Sequence, residues 1–94
     1  MKILSDLRIL DFSSQIAGPY CAKLFVDAGA QVIKVESEAG DPMRRWSATE
    51  ATLGDSDSAL FTYLNAGKKS VVGRASEAHI QSLLDEADLV IVAH

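Results

Sequence analysis

The chain has one cysteine, Cys21, in 94 residues. A single thiol excludes a disulfide framework within the chain and suits a reducing compartment. There are two histidines, His79 and His94. Neither has metal-ligand spacing and no Cys/His cluster exists, so no metal site is expected. No apolar run approaches the ~18–20 residues of a membrane-spanning helix. The N-terminus carries Lys2 but no long apolar segment and no cleavage pattern. A secretory leader is therefore not expected, and the cytoplasm is the expected compartment. Positive charge is in the minority: nine Lys and Arg stand against thirteen Asp and Glu, a net charge of −4. That balance disfavours broad nucleic-acid binding. The G-x-G-x-x-G fingerprint of dinucleotide folds is absent, which weakens a Rossmann dehydrogenase reading. There is no internal repeat and no low-complexity tract.

What is present is ordinary globular material. The chain is 48% hydrophobic and 23% charged, so disorder is not expected. Its length allows one small domain, residues 1–94, burying roughly 60–65% of its unfolded surface. The organising stretch runs from Ile9 to Cys21. Leu7, Ile9, Leu10 and Phe12 form a short apolar run, read as a strand over 7–12. Ser13, Ser14 and Gln15 break it. Gly18 and Pro19 then open a helix over 17–28, with Pro19 tolerated in the first turn. Cys21, Leu24, Phe25 and Ala28 share the 3, 4, 7 spacing of one apolar stripe. Gly29 is placed for a left-handed cap. Gln31–Glu36 reads as a second strand, parallel to the first across a βαβ crossover.

Residues 37–58 are irregular, with a turn at Gly40–Asp41–Pro42. Ser58 is expected to cap a short helix over 59–64, ended by Gly67, with Lys68 and Lys69 near its C-terminal dipole. A third strand is expected over 69–72. Ser76 is expected to cap a further helix, in which Ile80, Leu83, Leu84 and Ala87 repeat the helical stripe. A last apolar strand spans 89–93. The pattern β-α-β-(loop, short α)-β-α-β argues a Rossmann-like, doubly wound α/β sheet of about four mainly parallel strands, the first one central.

The turn over 13–18 places backbone N–H groups at a helix N-terminus, a geometry that attracts phosphates. The alternative is an ordinary strand-to-helix turn. Glu36 stands where a dinucleotide fold holds its ribose-binding acid, although a solvated strand end is the reading favoured. Arg44, Arg45, Lys68, Lys69 and Arg74 hold most of the central positive charge, and cations near the turn would make charge-assisted contacts to phosphates. A solvated basic surface is the other reading of each. Trp46 and Tyr63 read as packing residues before stacking platforms. Cys21 reads as a buried, inert thiol. The chain stops just after its last strand, where this fold class holds ligands, and so reads as one part of a longer protein.

The sequence also resembles a family. Asp11–Phe12–Ser13, Ala17–Gly18–Pro19–Tyr20–Cys21 and the run Asp27 to Glu36 look like the opening of the class III CoA-transferases, which also hold α-methylacyl-CoA racemases. Gly40–Asp41–Pro42–Met43–Arg44 and Asn65–Ala66–Gly67–Lys68–Lys69–Ser70–Val71 look like the next two blocks, in order. The resemblance implies an N-terminal, CoA-binding portion of an enzyme that moves CoA between carboxylic acids. It implies CoA or acyl-CoA as substrate, with a small carboxylic acid, no metal, and an interlinked homo-oligomer completed by the rest of the parent protein.

Residue by residue, the resemblance places backbone contacts to CoA at Ile16 and Ala17, with Gln15 beside them. Ser37 occupies a position that is often basic in the family. Lys68 lies in the Gly-Lys-Lys-Ser block. Arg74 stands two places before the family's usual lysine, where this chain has Ser76. The family's aspartate nucleophile, and the histidine and aspartate of its racemases, lie beyond residue 94, so no catalytic residue is assigned and the chain alone is expected to transfer nothing. An acyl-CoA racemase and a non-catalytic CoA- or nucleotide-binding module are the alternatives.

Overall fold

The run around Ile9 forms strand β1, Arg8–Asp11, one residue shorter at each end than its apolar extent. Helix α1 follows, Ala17–Asp27, and then β2, Gln31–Glu36. A 3-10 helix spans Pro42–Arg45 inside the segment expected to be irregular. Helix α2 is Ala59–Asn65 and strand β3 is Lys69–Val72. Helix α3, Ala78–Glu86, leads to β4, Leu89–Ile91. This computed structural model describes residues 4–45 and 57–92. The readings made for Trp46 and His94, and for the end of the last strand at Ala93, lie outside them.

The four strands form one sheet in the order β3-β2-β1-β4, with every neighbouring pair parallel. Ile9 stands opposite Val32, and Asp11 opposite Lys34. Alternation along the strands sorts the core into two layers. Ile9 and Val32 pack with Ala22 of α1 and with Ala30. Leu10 and Val35 pack with Ile80 of α3 on the opposite face. Helices on both faces of a parallel sheet make the fold a doubly wound α/β sheet. Each fully buried aliphatic side chain contributes roughly 1.5–3 kcal/mol of transfer free energy.

Three local expectations are corrected. Cys21 is exposed, not buried, and Leu24 is exposed as well. The helix face that meets the sheet instead carries Gly18, Pro19 and Ala22, with Phe25 and Val26 packed against the cluster. Small residues at 18 and 22 let α1 approach closely, which rotates the buried stripe away from the 21–24–25–28 line. Ser76 does not cap α3. The N-cap is Glu77, with no side-chain cap bond, because its carboxylate accepts the Arg74 N–H at 2.9 Å. Gly29 (φ +102°) and Gly67 (φ +84°) do take the left-handed conformation their positions require.

Candidate functional site

Strand order fixes where a ligand would lie. The chain moves outward from β1 to β2 to β3, then returns with β4 to the other side of β1. The crevice at the C-terminal ends of the strands, beside such a reversal, is where open α/β sheets bind ligands. The turn between β1 and α1 lies at this edge. Gln15 there has φ +70°, a conformation uncommon for a residue other than glycine. The N-cap of α1 is Ile16, with no side-chain cap bond and no acid in the first turn. No side chain of the helix therefore competes for its first-turn N–H groups.

The layer beneath the turn is ionic. Ile9 and Val32 begin one face of β1 and β2, and two residues on that face carries Asp11 and Lys34. Lys34 and Asp41 form a buried pair, Nζ to Oδ2 2.9 Å, with both side chains 2% exposed. This is a charge contact: Asp41 Oδ2 has no aligned hydrogen bond among the described residues. Lys34 Nζ also donates to the Ser13 carbonyl at 2.8 Å. Asp11 accepts the Ser13 N–H at 2.9 Å and the Ser13 hydroxyl. Its other oxygen pairs with Lys68 at 2.9 Å, again with both side chains buried. Lys68 Nζ donates further to Pro19 O at 3.1 Å and Asn65 Oδ1 at 2.7 Å. Burial pushes the Lys68 ammonium below the usual lysine range, and its hydrogen bond to Asp11 opposes that shift.

Glu36 closes the network. It is not the solvated strand end expected: its side chain is 3% exposed and pairs with Arg44, Oε2 to Nη2, at 2.7 Å. Its Oε1 accepts Arg44 Nε and the Asp41 N–H, both at 2.8 Å. Ser70 also donates to it. These bonds, that of Arg44 first, hold its pKa at about 2, against an ordinary 4.5. Arg44 reaches Asp57 at 2.7 Å and lies over the Phe61 ring, 4.2 Å from its centre. Glu36 is thus unavailable to a ribose, and Arg44 is an internal cation.

A cavity of about 170 Å³ opens at this edge, lined by Phe12, Ser13 and Ser14 on one side and by Ser37, Gly40 and Asp41 on the other. A second, of about 240 Å³, runs on from Ser37 to Gly73, Arg74 and Glu77. The structure therefore brings Ser37 and Arg74 to one groove, which begins beside the turn. Ile16 and Ala17 are exposed on that turn, with Gln15. Lys68 is set apart from the other candidates, because its ammonium is spent on three internal acceptors. Tyr63 is exposed and lies under Lys23, 4.9 Å from the ring centre. A larger cavity of about 330 Å³, lined by Arg8, Gln31, Leu83 and Glu86 among others, sits at the opposite end of the sheet, away from the ligand-binding edge.

The sequence reading missed Lys34, Asp11 and Asp41 as a unit. One signal was available: a lysine inside the apolar run Val32–Val35, on the same face as Val32, must be buried and needs a partner. The partner, Asp41, follows seven residues later through a turn whose shape the sequence does not reveal. Among the described residues, Asp11, Glu36 and Asp41 are each held by a cation.

Residues 4–93 match the family described as CoA-transferase family III, and the chain belongs to that family. The chain is 38% identical over 98 residues to a succinyl-CoA:mesaconate CoA-transferase of Haloarcula hispanica, covering 97% of this chain and 24% of that protein. It is 40% identical over 99 residues to a probable fatty acyl-CoA transferase of Mycobacterium tuberculosis, covering 98% and 24%. In structure it is similar to a CAIB/BAIF family protein from Brucella suis, with a TM-score of 0.79 and 32% identity, over 95% of this chain and 25% of that one. The chain spans about a quarter of the length of these relatives.

Proposed function

We propose that the chain is the N-terminal CoA-binding segment of an acyl-CoA transferase that moves CoA between carboxylic acids. The observation that carries the reading is the uncapped N-terminus of α1, placed at the reversal of strand order and following directly on Ser13 and Ser14, which share a cavity with Ser37. The pyrophosphate of CoA lies against backbone N–H groups of Gln15, Ile16 and Ala17, where the helix end favours negative charge. The adenosine end follows the groove past Ser37, and Arg74 supplies a charge-assisted contact to phosphate. Lys68 contributes from below, by holding Asp11 and the Pro19 carbonyl. Transfer must break one thioester and form another, which takes a nucleophile held against the acyl carbon. Asp11, Glu36 and Asp41 are committed to ion pairs, and the nucleophile is assigned to a part of the enzyme beyond these residues. The names of the relatives support transfer over racemisation. A cytoplasmic homodimer is the setting proposed for the whole enzyme.

Calorimetric titration of the chain with CoA, NAD and ATP tests the reading. Weak CoA binding is expected, and Ala17→Asp should abolish it by placing a carboxylate where the pyrophosphate lies. Binding of NAD with no CoA response overturns the proposal. CoA binding unchanged by Ala17→Asp moves the site away from the turn.

A further inference from the structure

We infer that Lys34 is the positioning residue that sets the two walls of the CoA groove against each other, an inference that rests on the CoA reading above. The side chain comes from the middle of β2 and is buried. Its single ammonium touches both walls: the Ser13 carbonyl of the β1–α1 turn at 2.8 Å, and Asp41 Oδ2 of the loop after β2 at 2.9 Å. Ser13 and Asp41 line the same cavity from opposite sides.

Each wall also has a local tie of its own, and Lys34 joins the two. Ser13 is tied to Asp11, which Lys68 holds in turn. Asp41 donates its N–H to Glu36 and accepts the Met43 N–H at 2.9 Å. Lys34 is therefore the crossbar between two braced loops. The turn needs such a brace, because two residues after Ser13 the backbone of Gln15 sits at φ +70°, a conformation that persists only when its surroundings impose it. Without the crossbar, ligand binding must order the turn, and affinity falls by that ordering cost.

The test uses the whole chain and the double variant Lys34→Met/Asp41→Asn, which removes both charges and leaves neither unpaired. CoA affinity is measured by calorimetry well below the melting temperature. Backbone order parameters for residues 13–17 are measured by NMR without ligand. The expected result is a folded variant with CoA affinity weakened about tenfold or more. Order at 13–17 should fall from the rigid value of ~0.85 towards ~0.6, with β2 unchanged. Affinity within about twofold of the parent chain overturns the inference. So does a loss of order spread evenly over the sheet, or a variant that does not fold, since either makes Lys34 a residue of general stability only. If the parent chain gives no response to CoA, the functional reading fails, and the inference is then decided by the order parameters of the turn alone.

Discussion

Glu36 shows how one side chain couples several loops at this edge. It binds Arg44 twice, the Asp41 N–H and the Ser70 hydroxyl, and its carboxyl is held at about 2. A carboxylate whose folded pKa lies below its unfolded value stabilises fully above the unfolded value and loses that stability as pH falls towards the folded one. The window here runs from about 4.5 down to about 2. The shift sets an upper bound of roughly 3 kcal/mol, reduced by solvent around the part-exposed Arg44. Glu36→Gln should lower the urea midpoint at pH 7 and flatten its decline between about pH 5 and 3. A variant with the parent slope would deny Glu36 this role. Gly67 offers a steric test. Its φ is +84°, and an added Cβ would sit 2.7 Å from Val26 Cγ1. Gly67→Ala should cost about 1–3 kcal/mol in chemical denaturation. A neutral result would mean that the α2–β3 turn relaxes away from α1.

At the scale of elements, legibility followed how local the cause is. β2 and β3 agree with their expected bounds because Gly, Gln or Lys boundaries and β-branched runs are read from adjacent residues. Helix α2 was legible from its cap. Ser58 accepts the Phe61 N–H at 3.0 Å and donates to the Met43 carbonyl at 2.6 Å. Only the first of these bonds is visible in sequence spacing. Ser58→Ala removes both, and should destabilise the chain by about 1–2 kcal/mol. Melting of the variant measures this; an unchanged transition would make the cap decorative. The face of α1 was misread because four apolar positions satisfy the helical period, while the side that packs is chosen by the small residues Gly18 and Ala22. The ionic layer was least legible. Asp11 and Lys68 are 57 residues apart, and only the parallel register with its crossing loops joins them. The particular choice of residues 15–17 and 37 came from resemblance, while local pattern supplied the turn and raised Arg74 only as one of several central cations.

For the whole molecule, the unanswered surface is apolar. Ile16, Tyr20 and Leu24 are 54%, 45% and 53% exposed, and their spacing of four aligns them along one outer line of α1. On the other flank, β4 pairs with β1 on one side and is an end strand of the sheet, with Leu89, Val90 and Val92 also exposed. Ridges and edges of this kind promote association: the ridge through area removed from water, the edge through unpaired backbone groups. The chain by itself is therefore expected to self-associate with increasing concentration, as seen by sedimentation velocity. Leu24→Lys tests the ridge and Val90→Lys the edge, and both positions are exposed enough to take a lysine without disturbing the core. Loss of association in only one variant identifies the surface used. Equal weakening in both assigns it to the two together. A monodisperse monomer at millimolar concentration would refute the expectation. The net charge of −4 would then be enough, with the ridge and edge left bare, to keep copies apart.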